Sequence, residues 1–211
     1  MKLAFLGFGT IGRMIYCEIS SVKSQAQVDA TKFAGYRYAV QVLDLLKADE
    51  TSYNSCLVAL DLAEAGQRLL YRGDSESAMI ELQKAESLFE KLPDARPLLG
   101  ICKADMAAAL CNLGRYQEAA TYARVSIWIV SGDRRFAFTE AMAKMSLGNS
   151  LYMLGKSKGG ARCFDDARRI LRTLPEGTQY LAVIDRIQQY LKNTTGKHSR
   201  KWWQFCKILR D

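Results

Sequence analysis

Proline is scarce: Pro93, Pro97 and Pro175 are the only three in 211 residues. Long stretches are therefore open to helix, because proline removes a helical donor and clashes with the preceding turn. Histidine is scarcer still, with His198 alone. No two of the six cysteines (Cys17, Cys56, Cys102, Cys111, Cys163 and Cys206) stand at CxxC spacing. A zinc site would have to gather scattered thiols and one imidazole, so no metal is expected. A chain of this length needs no disulfide staples, and buried thiols in a reducing compartment are the simpler expectation. There is also no uninterrupted apolar run of the ~18 residues that marks a spanning helix. The apolar stretch Leu3–Ile11 is closed by Arg13 and lacks a small-residue cleavage site of signal-peptide type. The expected location is intracellular, in the cytoplasm.

Charge is unevenly spread. The formal net charge is +8, and residues 197–211 hold Lys197, Arg200, Lys201, Lys207 and Arg210 against Asp211 alone. Half of the excess sits in this tail, so arguments from charge about partners belong there.

What the chain does have is a repeat. Gly73, Gly114 and Gly155 are spaced by 41 residues, after LLYRG, LCNLG and LYMLG. Seven positions before each stands Gly66, Ala107 or Gly148, and four before stands Leu69, Leu110 or Leu151. Five after comes Ala78, Ala119 or Gly160, and twelve after comes Ala85, Ser126 or Ala167. Such columns fit a helix, a tight turn and a second helix. The turn glycine ends the first helix with a positive φ. The small residues let the two helices approach closely, and the leucines fill the space between them. Leu92-Pro93 and Leu174-Pro175, two periods apart, stop the second helices.

These columns resemble the tetratricopeptide repeat. The matching residues are Gly66, Gly73, Ala78, Gln83-Lys84 and Ala85 in the first unit. They are Leu113-Gly114, Tyr116 and Ala119 in the second, and Leu147-Gly148, Gly155, Gly160, Phe164 and Ala167 in the third. The period exceeds the usual 34, as in the longer repeats of kinesin light chains and spindle-orientation adaptors. The resemblance covers about residues 55–175. It implies an all-α fold, an α-solenoid of about three hairpins with flanking helices, and a function in protein–protein interaction as a scaffold or adaptor.

The resemblance also implies a concave groove lined by the first helices. By offset from the turn glycines, its residues are Leu60, Ala63, Gln67, Leu70 and Tyr71, then Ile101, Ala104, Ala108, Cys111 and Asn112, then Met142, Met145, Asn149, Tyr152 and Met153. Methionine and tyrosine suit an adaptable apolar surface, and the asparagines could bond to a peptide or helix of a protein partner. An alternative is that the chain fills the groove itself, with its N-terminal segment. Chaperone-binding relatives clamp a carboxylate with basic groove residues; the corresponding positions here hold Ala63, Met142 and Ser146, so that clamp is not expected. RNA binding would need basic residues aligned along the groove, and these positions carry none.

On either side, Phe33, Tyr36, Val40, Leu43 and Leu46 predict a helix over 31–48, with Asp49 to Ser52 as turn and next N-cap. Tyr180, Ile184, Ile187 and Leu191 predict a helix over 178–192 that covers the last apolar face. The expected organisation is an N-terminal helical segment (1–54), repeats (55–177) and a C-terminal cap with a basic amphipathic helix (178–211).

One motif points elsewhere. Gly7-Phe8-Gly9-Thr10-Ile11-Gly12 is a GxGxxG after an apolar run, as in the nicotinamide-binding turn of dehydrogenases. The alternative reading is thus an NAD(P)-dependent oxidoreductase. Asp29 stands near the place of the ribose-binding acid, but Ser24 to Val28 make a poor strand and no convincing strand follows residue 31. Asp165 and Asp166 are adjacent on one helix and cannot both face one substrate. No catalytic residues and no cofactor are therefore expected.

The tail reads SRKWWQFCKILR over 199–210. Trp202, Phe205, Cys206 and Leu209 share one helical face, Trp203 and Lys207 flank it, and Arg200, Lys201 and Arg210 surround it. Such a helix either caps the array or docks onto an acidic partner or an anionic membrane surface. Capping or protein docking is favoured over lipid, because the apolar face is barely two turns long.

Overall fold

The computed structural model describes residues 34–47, 49–174 and 177–194. Among them the chain is all-helical, with eight α-helices and no strand. Helix α1 is Ala34–Leu46, α2 Glu50–Arg72, α3 Ser75–Phe89 and α4 Arg96–Asn112. Then follow α5 Tyr116–Val130, α6 Ala137–Met153, α7 Ser157–Leu171 and α8 Gly177–Thr194. Short 3-10 turns, Pro93–Ala95 and Arg134–Phe136, lead into α4 and α6. Predicted helices 31–48 and 178–192 correspond to α1 and α8.

Three helix pairs, α2–α3, α4–α5 and α6–α7, follow one another at the period of the glycines. Each first helix ends the same way. Gly73, Gly114 and Gly155 have φ of 83°, 75° and 76°. Their N–H groups donate back to Leu70, Cys111 and Tyr152, while the next N–H donates to Leu69, Leu110 and Leu151 at 3.0, 2.9 and 2.8 Å. That pair of bonds is the Schellman closure, which satisfies carbonyls the helix itself cannot. The leucine column thus also supplies the carbonyls that close each first helix. Gly132, with φ of 88° in the turn after α5, stands outside the columns. At the other end of α2, Asp49 accepts from the Thr51 and Ser52 N–H groups at 3.1 and 3.3 Å, the N-cap its position predicts.

The small-residue columns lie where the paired helices touch. A Cβ on Gly66 would sit 2.6 Å from Leu82 Cγ. Ala78, Ala85, Ala107, Ala119 and Ala167 are fully buried. Ser126, the polar member of its column, donates to the Gly100 carbonyl at 2.7 Å, so its buried hydroxyl is satisfied. Leu110 and Leu151 are buried, and Leu69 is half-buried.

Successive pairs pack on each other. Phe89, Leu82, Leu98, Met106 and Leu110 form one core with Val42 and Leu43 of α1. Phe164 and Leu171 form another with Ile184, Ile187 and Leu191 of α8. Burying each of those three α8 side chains contributes about 1.5–3 kcal/mol, which explains how a helix with few charges in its apolar stripe is held over the last pair. Arg168 bonds Asp185 and Gln188 at 2.6 Å, fixing α8 against α7. Helix α1 lies against α2, α4 and both 3-10 turns, and Arg135 donates to Gln41 at 3.4 Å. Since α1 meets the first helices and the turns that start them, it covers the starting end of the face they share.

Candidate functional site: the face of the first helices

First helices of neighbouring pairs pack directly on one another, α2 on α4 and α4 on α6, whereas the second helices make no comparable mutual contact. The side of α2, α4 and α6 is therefore the one along which successive pairs meet, and it carries the positions expected to line a groove. The charged residues reinforce this division. Lys103 of α4 turns to Glu86 of α3 and to Glu90 just after that helix. Lys144 of α6 lies 3.7 Å from Asp166 of α7. Arg96 stacks over the exposed Trp128 of α5, 4.4 Å from its ring centre. Arg68 pairs with Glu64 at 2.5 Å within α2. Lys103, Lys144 and Arg96 are thus drawn toward the second helices, and Arg68 is matched within α2.

The groove residues expected from the repeat offsets do fall on these three helices, at different depths. Tyr71 is 80% exposed, while Ala63, Gln67, Leu70, Ile101, Ala108, Asn112, Met142 and Met153 are half-buried. Leu60, Ala104, Cys111, Met145, Asn149 and Tyr152 are buried. Leu60 belongs to the core that includes Leu43 of α1. Met145 and Tyr152 belong to the core under α8, with the Tyr152 and Phe164 rings 6.0 Å apart. Asn112 donates to the Ser75 hydroxyl at 3.1 Å, tying α4 to the start of α3. The Cys111 thiol donates to the Ser146 carbonyl at 3.5 Å, and its sulfur lies 3.3 Å from the Ser150 hydroxyl. That links α4 to α6.

Asn149 differs from these. Its side chain is 3% exposed, and neither amide atom has a hydrogen-bond partner. A buried amide without a partner costs about 1–3 kcal/mol.

Asp105 was not among the expected groove residues. It is the sole acid of α4, and it accepts from the Gln67 amide of α2 at 2.7 Å. Burial pushes its carboxyl up to about 7, the Gln67 bond opposing this in part. Its isolation in the run ICKADMAAAL was the available sequence signal; the partner 38 residues away was not.

The four described cysteines are thiols; Cys56, Cys102 and Cys111 are buried and Cys163 is half-buried. Burial pushes the Cys56 thiol up to about 11 and that of Cys102 well above its ordinary value, so both resist ionisation. Among the described residues no three metal-ligating side chains gather, and no helix is long and apolar enough to cross a membrane. The GFGTIG motif and the tail residues Arg200, Lys201, Trp202, Trp203, Phe205, Lys207 and Arg210 lie outside the described residues. No protein-family model, curated protein or solved structure matches the chain.

Proposed function

We propose that this chain is a non-catalytic protein-binding module, a short α-solenoid of tetratricopeptide type that serves as a scaffold or adaptor in the cytoplasm. One observation carries the reading. Three helix pairs close with the same glycine geometry at one period, so three first helices offer the same positions to one face. On that face Leu70, Tyr71, Ile101, Met142 and Met153 keep apolar surface accessible. Such a row, interrupted by the Gln67 and Asn112 amides, suits an apolar peptide or helix whose polar groups need occasional partners. The covering of the starting end by α1 limits the usable face to its middle and its turn end.

The test is comparative capture. The full chain, used as bait, is compared with Ile101→Glu on the first-helix face and with Ile80→Glu, whose exposed side chain lies on α3. The reading predicts a defined partner lost with Ile101→Glu and kept with Ile80→Glu. Equal retention by both variants, with helical content unchanged, would reject the first-helix face as the binding surface.

A further inference from the structure

The outward positions of the second helices change character along the stack. At the 41-residue period Glu76, Gln117 and Lys158 are equivalent, as are Ile80, Thr121 and Arg162, and Glu90, Ser131 and Arg172. All of these residues are exposed. The outward side thus runs from acidic on the first pair, through neutral, to basic on the third. The half of the net charge that the tail does not hold lies in residues 156–172, with six cations against Asp165 and Asp166. Both acids are already engaged, Asp165 with Arg168 at 3.0 Å and Asp166 with Arg169 and Lys144. Among the described residues, the Lys158, Arg162 and Arg172 side chains form no ion pair. From Lys158 to Arg172 the row is about 21 Å long, at about 1.5 Å per residue.

The neighbouring outward face, that of α5, holds an exposed indole. Trp128 is 71% exposed, and Arg96 lies over one side of its ring. Arg124, one turn earlier on α5, is also exposed and forms no ion pair among the described residues. Arg124 is close enough to α7 to act on the Cys163 thiol, and Cys163 packs on the cluster that holds Ala120 and Ala123 of α5. The two outward faces therefore adjoin. The exposed positions of α7 between Lys158 and Arg172 are Arg162, Asp165 and Arg169, so the row has no apolar side chain to insert into a lipid interface. A strand of phosphates suits it, since lysine and arginine neutralise phosphates and release their counterions. Single-stranded nucleic acid adds bases whose faces stack on exposed aromatic rings, and Trp128 offers such a ring beside the cations.

We infer that the outward face of α5 and α7 binds single-stranded nucleic acid. Lys158, Arg162 and Arg172 take backbone phosphates, and Trp128, backed by Arg96, stacks on a base. This surface belongs to the second helices and leaves the face of α2, α4 and α6 free, so the inference goes beyond the proposed function and does not depend on it.

Fluorescence anisotropy with the full chain and a labelled oligouridylate of about 20 nucleotides, longer than the site such a surface occupies, tests it. The expected result is saturable binding that weakens as salt rises. Arg162→Glu/Arg172→Glu should lower the affinity about tenfold or more, and Trp128→Ala about fivefold or more. Arg200→Glu/Lys201→Glu reverses the same number of charges in the basic tail and should keep the parent affinity within about twofold. All three substituted sites on α5 and α7 are exposed, and circular dichroism checks that the helices are intact. Four results would overturn the inference: no saturable binding by the parent, full affinity in the α7 variant, full affinity in Trp128→Ala, or polyglutamate displacing the label as well as unlabelled oligouridylate does. The last would mark the row as a surface for acidic proteins instead. None of these substitutions touches the first helices, so the capture comparison between Ile101→Glu and Ile80→Glu is judged on its own result.

Discussion

Gly148 and Gly160 face each other across the third helix pair, and Gly160 has no room for a side chain. A Cβ on Gly160 would lie 2.7 Å from the Gly148 carbonyl oxygen and 2.4 Å from Tyr152 Cδ2. A Cβ on Gly148 would lie 3.1 Å from the Gly160 carbonyl oxygen. Backbone cannot swing aside as a side-chain tip can, so Gly160→Ala must separate α6 from α7. Overpacking of this kind costs about 1–3 kcal/mol. Urea denaturation should show that loss for Gly160→Ala; an unchanged midpoint would contradict the close approach.

Gly114 is needed for a different reason. Nothing lies within 4 Å of a Cβ there, but φ is 75°. Gly114→Val should therefore destabilise by about 1–3 kcal/mol through the backbone alone. Gly114→Asn should cost less, because asparagine tolerates the left-handed region. Equal melting temperatures for the two variants would contradict a conformational origin.

Asp105 makes stability depend on pH. Its carboxyl is at about 7 in the folded chain, against an ordinary value of 3.8. Between those values the folded chain holds a proton that the unfolded chain has released. Stability therefore falls as pH rises through this window, and the penalty is complete above the folded value. Asp105→Asn keeps an acceptor for Gln67 and removes the titration. The variant should gain melting temperature over the parent as pH rises from about 4 to about 8. A difference that stays constant across that range would contradict the burial of the carboxyl.

Asn149 should trade stability against binding. Replacing its unpartnered amide with the similar-sized side chain of leucine should raise stability by up to about 1–3 kcal/mol. If the amide is kept to bond a partner on the first-helix face, Asn149→Leu should also weaken capture. A lower melting temperature would show that the amide is satisfied in the folded chain.

Much of the helix order could be read from sequence because it rests on local rules. The glycine column fixes where each first helix ends, the small-residue columns fix which sides of the pairs meet, and Asp49 marks a helix start by its capping oxygen. Depth was less legible. Leu60 and Tyr71 occupy equivalent stripes of α2, yet one is 5% exposed and the other 80%. The difference comes from α1 lying over the starting end, a long-range contact that periodicity does not encode. The Gln67–Asp105 and Asn112–Ser75 bonds likewise join residues 38 and 37 apart in sequence. Each residue type was visible, but the partner depended on how neighbouring pairs stack. The 3-10 turn Arg134–Phe136 stands where the other pairs have Leu-Pro, and Gly132 makes that turn by a different route.

The central claim is that partners are held on the face of α2, α4 and α6. Hydrogen–deuterium exchange of the full chain, with and without a captured partner, tests this most directly. The account predicts added protection in peptides covering 63–71, 101–112 and 142–153, with α3, α5 and α7 little changed. Protection confined to α3, α5 and α7, with the first helices unaltered, would contradict it.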